Sequence, residues 1–150
     1  MSARRIVGAT AIAIALVGGR TVIAQDPRVL PPTIGDLNAV QLVEIVDMQG
    51  QVLLHGTMKT STNTPKEIER KAELVSPTGQ KAKGEIEIEI ERKDSSVKNE
   101  VEVELEQMPI STQCELRLDG RAAATFLTTK KGKAKFELER KETKPAPERD

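Results

Sequence analysis

The sequence contains no tryptophan and no tyrosine, and Phe126 and Phe136 are its only aromatic side chains. A core therefore has to be assembled from Val, Ile, Leu, Met and Ala. The stacking platforms used by carbohydrate-binding and single-strand nucleic-acid-binding proteins are missing. A single cysteine, Cys114, excludes an intramolecular disulfide, so stability must come from packing. A single histidine, His55, cannot build a His-based zinc site, and one cysteine cannot complete a Cys-rich one. The 23 Lys and Arg residues balance 23 Asp and Glu residues, so there is no basic excess to meet a phosphate backbone. No G-x-S-x-G elbow, G-x-G-x-x-G fingerprint or P-loop occurs.

The one long apolar run is at the N-terminus. Arg4 and Arg5 precede an apolar stretch over residues 6–19. It is shorter than the roughly 20 residues needed to cross a bilayer core. Val22-Ile23-Ala24 then offers a cleavage site before Gln25, so residues 1–24 read as a secretory signal peptide. The expected destination is periplasmic or extracellular, with no membrane span in the mature chain. Residues 25–150 keep 20 basic and 23 acidic side chains, a net charge of −3. Residues 25–36 carry Pro27, Pro31 and Pro32 and read as an extended leader. Residues 142–150, ETKPAPERD, read as a disordered tail.

Between leader and tail the dominant pattern has a period of two. Residues 81–93, KAKGEIEIEIERK, alternate Ile86, Ile88 and Ile90 with Glu85, Glu87, Glu89 and Glu91. One face of a strand is then apolar and the other carboxylate. Residues 97–106 repeat the pattern, with Val101, Val103 and Leu105 against Glu100, Glu102, Glu104 and Glu106. Further strands are expected over residues 40–47, 52–59, 67–75, 114–118, 121–128 and 133–140. The first of these is apolar on both faces and so central. Gly50, Ser76-Pro77-Thr78-Gly79, Asp119-Gly120 and Gly132 mark turns, and Asp-Gly between apolar runs is a strong hairpin signal. Residues 60–65, TSTNTP, read as a loop. The pattern contains no convincing helix.

The stretch at 81–93 has a shorter echo at 133–141, KAKFELERK. Together with weaker matches upstream, this suggests a degenerate duplication, about residues 36–93 and 97–141. Two such units can bury their apolar faces on each other. The expected fold is an all-β antiparallel sandwich of about eight short strands over residues 37–141, with a small β-barrel as the alternative. Leu116-Arg117-Leu118-Asp119-Gly120, Ala124-Thr125-Phe126 and Gly132-Lys133-Ala134-Lys135-Phe136 form a pattern that resembles hairpins in exported bacterial all-β domains of unassigned function. The resemblance covers about 25 residues, rests on turn glycines and core positions, and implies a fold but no active site.

The acidic stripes carry the only functional hint. If residues 84–92 and 97–106 form a hairpin, eight carboxylates share one face: Glu85, Glu87, Glu89, Glu91, Glu100, Glu102, Glu104 and Glu106. Like charges directly opposite each other are destabilising. Lys71, Arg117, Lys133 and Lys135 have the alternation to interleave as a solvated ladder, which would also keep the sheet from pairing with other chains. Otherwise the face would take Ca²⁺ or a cationic partner. An all-Glu strand lacks the turn residues and carbonyls of most calcium sites. Cys114 falls on a core face and reads as a buried free thiol, and His55 as a partly exposed sheet residue.

No catalytic residue and no cofactor are expected. The leading expectation is a non-catalytic structural, adhesive or protein-interaction domain whose partner is a protein or envelope component. Its contact surfaces would be the acidic face and the loops at 60–65 and 109–113. A cation-binding module is the second expectation and a small exported hydrolase the third.

Overall fold

The computed structural model describes residues 29–143, together with the backbone of residues 13–17 and 20–24. Strands β1 (Ala13–Val17) and β2 (Arg20–Ala24) pair antiparallel as a separate ribbon. They fall within the expected signal segment, whose other residues and Gln25 lie outside the described residues. The domain itself consists of β3 (Leu42–Asp47), β4 (Val52–Thr57), β5 (Lys59–Asn63), β6 (Glu67–Val75), β7 (Lys83–Arg92), β8 (Ser96–Glu106), β9 (Gln113–Leu118), β10 (Arg121–Leu127) and β11 (Ala134–Thr143). All nine lie in one antiparallel sheet ordered β10-β9-β3-β4-β6-β7-β8-β11, with β5 added beside β6, and this sheet is nearly closed into a barrel.

Alternation decides which side of each strand turns inward. In β7, Ile86, Ile88 and Ile90 are buried. In β8 the same holds for Val101, Val103 and Leu105, and in β6 for Ile68, Ala72 and Leu74. These side chains join Val43, Ile45, Leu54, Leu116, Leu118 and Leu138 in a single core. As its two apolar faces require, β3 lies in the middle of the sheet, between β9 and β4. Asp119 and Gly120 take φ of 50° and 80°, the left-handed pair that a two-residue hairpin turn demands. The Asp119 carboxylate also accepts hydrogen bonds from the backbone N–H of Gln41 and Leu42, tying this turn to the start of β3. The strand β4 meets β6 at one residue pair, His55 with Val75. Gly56 stands at this corner because any Cβ there would collide with the Glu73 carbonyl oxygen.

The apolar alternation recurs around a single strand. β7 and β11, the two copies of the KAK…ERK stretch, flank β8 on opposite sides. Ile86 and Phe136 both stand opposite Val103, and Ile88 and Leu138 both stand opposite Val101. The two copies thus lie one strand apart in a single curved sheet.

Three stretches differ from expectation. Residues 59–63 form a strand, not a loop. Thr60 pairs with Arg70 and Thr62 with Glu69, around a bulge at Ser61, and the Thr62 hydroxyl donates to Glu69. β-branched threonines suit such a half-exposed edge, and the turn is delayed to Thr64, whose N–H reaches the Glu67 carbonyl. The leader belongs to the fold from residue 29. After one parallel bridge between Val29 and Glu139 the chain turns, and Leu30, Ile34 and Leu37 are each no more than 2% exposed. A single 3₁₀ turn at Leu37–Ala39 follows, capped by the Asp36 carboxylate on the Asn38 N–H. Finally, Glu142 and Thr143 extend β11 rather than opening a tail, and residues 144–150 lie outside the described residues.

Arginines hold this folded leader. Arg70, 3% exposed on the inward face of β6, donates to the carbonyls of Leu37 (2.9 Å) and Val40 (2.5 Å). Burial lowers its pKa from the ordinary arginine value, and the charges of Asp119 and Asp36 act against that shift. Arg140 on β11 donates to the carbonyls of Pro31, Ile34 and Gly35, and Arg121 on β10 donates to that of Thr33.

Candidate interaction surface

The outward side of β6, β7, β8 and β11 is a wall of carboxylates. The register places them in rows across the four strands. One row reads Glu69, Glu89, Glu100, Glu139 and contains no base. The next reads Lys71, Glu87, Glu102, Glu137, and the third reads Glu73, Glu85, Glu104, Lys135. On the other side of the all-acid row lie Glu67, Glu91, Lys98 and Lys141. Directly opposed side chains on paired strands have Cβ atoms roughly 4.5–5.5 Å apart. The expected hairpin of β7 and β8 is therefore present, with Glu85, Glu87 and Glu89 facing Glu104, Glu102 and Glu100. Glu91 and Glu106 face Lys98 and Lys83 instead.

Lysines thread this wall from its margins. Lys71 pairs with Glu87 at 3.6 Å and Lys83 with Glu106 at 3.4 Å. Lys98 reaches into the all-acid row, 3.3 Å from Glu100 and 3.7 Å from Glu139. Each such exposed pair contributes about 0–1 kcal/mol. Of the interleaving bases expected, Lys71 takes this role and Lys135 faces Glu104 in register. Arg117 sits on β9, where it pairs with Glu115 at 2.6 Å, away from the wall.

Two places stay crowded with carboxylates, although Lys71 and Lys98 each pair with one member. Glu69, Glu87 and Glu89 each offer a carboxylate oxygen within 4.8 Å of the others, and so do Glu100, Glu102 and Glu137. The Glu89 carboxyl is pushed up to about 7. A hydrogen bond with Glu91 contributes most, then burial, then the charges of Glu91, Glu100 and Glu67. Glu137 is also raised, first by the charge of Glu100, then by burial and a hydrogen bond with Glu100. Carboxylates this close relieve their repulsion by holding a proton or by meeting a cation. A shallow cleft of about 440 Å³, bordered by Glu73, Glu85, Glu104, Glu106 and Lys83, opens at one end of the wall.

All eight glutamates singled out from the sequence lie on this face. Sequence reasoning missed the five that join them from the flanking strands: Glu67, Glu69 and Glu73 on β6, Glu137 and Glu139 on β11. Their alternation is visible in the sequence, but their place beside β7 and β8 depends on the sheet order. The two loops expected as contact surfaces differ from each other. Residues 60–63 are strand, whereas residues 109–112 remain a loop before Gln113 opens β9, pinned by buried Thr128, whose hydroxyl donates to Pro109 and accepts from the Thr112 N–H.

The other chemically capable residues lie elsewhere. Cys114 is fully buried, and burial, followed by the charge of Asp47, pushes its thiol up to about 11. At neutral pH it is a protonated thiol without access to solvent. His55 is half-buried on β4, opposite Glu44 on β3 and Val75 on β6. Among the described residues, no helix is long and apolar enough to cross a membrane. No family model matches the chain, nor does any curated protein or solved structure.

Proposed function

We propose that this chain is an exported, non-catalytic β domain that works by surface contact, and that its contact surface is the carboxylate wall of β6, β7, β8 and β11. The observation that carries this reading is the row Glu69, Glu89, Glu100, Glu139, four acids across four paired strands with no base among them. Opposed like charges cost stability, and a cationic surface laid on the wall relieves that cost. The partner class is a basic protein segment or an amine-bearing envelope component. Export is supported by Arg4, Arg5, the apolar run that follows and the Val22-Ile23-Ala24 site.

An oligolysine peptide is the simplest probe. Calorimetry at low salt should show saturable binding that weakens steeply as salt rises. The quadruple variant Glu87→Gln, Glu89→Gln, Glu102→Gln, Glu104→Gln should lose it. Equal binding by this variant and the wild type overturns the assignment of the surface.

The two carboxylate triads favour a second reading, a Ca²⁺-binding module. The strands that carry them present side-chain carboxylates without the carbonyls and turn residues of most calcium sites. Titration with Ca²⁺ at physiological salt should therefore be silent. A stoichiometric, micromolar heat that disappears in the quadruple variant displaces the first reading in favour of the second.

A further inference from the structure

The barrel has one open seam, between the edge strands β10 and β11. Near the Thr129–Gly132 turn the seam is narrow: the Thr129 N–H donates to the Lys133 carbonyl. Further along, the space between the edges is filled by the leader. Leu30 N–H donates to the Glu139 carbonyl at 2.9 Å, in a parallel bridge on the free edge of β11. Arg121 reaches Thr33 from the β10 side, and Arg140 reaches Pro31, Ile34 and Gly35 from the β11 side. Leu30 and Ile34 fill the interior beneath, each no more than 2% exposed.

This seat recognises its occupant in three ways. It pairs with the backbone through the bridge to Glu139, it reads main-chain carbonyls with arginines, and it accepts aliphatic side chains into the core. None of these requires that the occupant be continuous with the strand that follows it. The leader runs through Gly35 and a single 3₁₀ turn before it enters β3. A Cβ at Gly35 would meet nothing within 4 Å, so the backbone there is uncrowded.

From this geometry we infer that the seam is a binding groove for residues 29–36 in trans as well as in cis, and that its second occupant is the same segment of another copy of this chain. Two copies then exchange leaders, each closing the other's barrel. The interface is two-fold and closed, because each copy supplies one segment and one seat. The exchanged contacts are those already present in the monomer, so the two forms differ in association entropy and in the path of the backbone at residues 35–41. The balance between them depends on concentration.

Complementation between two full-length variants tests this. In the first, Leu30→Asp and Ile34→Asp leave a seat without a usable leader. In the second, Arg121→Glu and Arg140→Glu leave a leader without a usable seat. Each alone should be monomeric with a lowered thermal midpoint. Mixed, they should form a 1:1 heterodimer in native mass spectrometry, with part of the lost midpoint regained. The proposal is overturned if the mixture stays monomeric, including the case in which either variant is unfolded and mixing restores nothing. It is equally overturned if a heterodimer still forms when Leu30→Asp and Ile34→Asp are installed in both members, since no leader could then be seated.

Discussion

The ring of Phe126 lies 4.7 Å from that of Phe136, with planes tilted by 38°, and the two belong to the two edge strands of the sheet. The only aromatic side chains in the chain therefore meet across the seam, where no strand ladder joins β10 to β11. Edge-tilted aromatic pairs contribute about 0.5–1.5 kcal/mol beyond their buried area. Phe126→Ala should destabilise by about 3–5 kcal/mol. Phe136→Ala should cost less, because Phe136 is half-buried whereas Phe126 is 2% exposed. Urea unfolding followed by circular dichroism measures both, and the reverse order would mean that the seam is not held in this way.

The alternation in β7 predicts opposite outcomes for adjacent substitutions. Ile88 is fully buried, and Ile88→Lys places an unpaired charge in the core, which should prevent folding. Glu87 points outward between Lys71 and Glu102. Glu87→Lys exchanges one like-charge contact for another and should shift stability by no more than about 0.5 kcal/mol. Thermal melts that fail to separate the two variants would refute the face assignment.

Glu89 gives the wall a pH dependence. Its folded pKa, about 7, lies above the ordinary value of 4.5, chiefly through its hydrogen bond with Glu91. The fold thus favours the protonated form. The contribution from this group is fully present below pH 4.5 and is lost as pH rises through 7. Glu137 shifts in the same direction. Glu89→Gln removes the titration, so its thermal midpoint should gain on the wild type between about pH 5 and 8. A constant difference over that range would contradict a raised Glu89.

Arg70→Met should leave the carbonyls of Leu37 and Val40 without their donor in the interior, costing about 1–3 kcal/mol for each acceptor left unsatisfied. Arg70→Lys should recover only part of this, because an ammonium cannot reproduce the planar guanidinium. The leader should loosen before the barrel, so hydrogen exchange at Leu30 and Ile34 should accelerate more than at Ile88. Uniform acceleration would mean that leader and barrel open as one unit.

The strands were legible because alternation is a local signal. Ile86, Ile88 and Ile90 against four glutamates leave no second interpretation, and Asp119-Gly120 fixed its hairpin. What the sequence hid was long-range. Neither Val43 nor Leu118 says that β3 pairs with β9, and nothing near Phe136 says that β11 docks on β8 rather than on a facing layer. The acidic wall was half visible for the same reason. β7 and β8 adjoin in the chain, whereas the glutamates of β11 reach the wall only through the sheet order. The leader was misjudged because Pro31 and Pro32 report a break in regular structure and say nothing about burial. Its anchors, Leu30, Ile34 and Leu37, follow no strand period. β5 was masked by side chains, Thr, Ser and Asn, that serve an edge strand as readily as a loop.

The placement of β9 and β11 also sets the order in which the molecule can assemble. β3, near the start of the domain, finds its second neighbour only when residues 114–118 exist, and β8 must wait for residues 134–143 to cover its other side. Such distant pairing folds slowly relative to helical domains of similar size, because the ends of long loops must meet before any contact rewards them. A chain that lacks residues 134–143 has an uncovered β8 and an unfinished wall. Those ten residues thus commit the whole sheet, and without them its longest strand keeps an open edge.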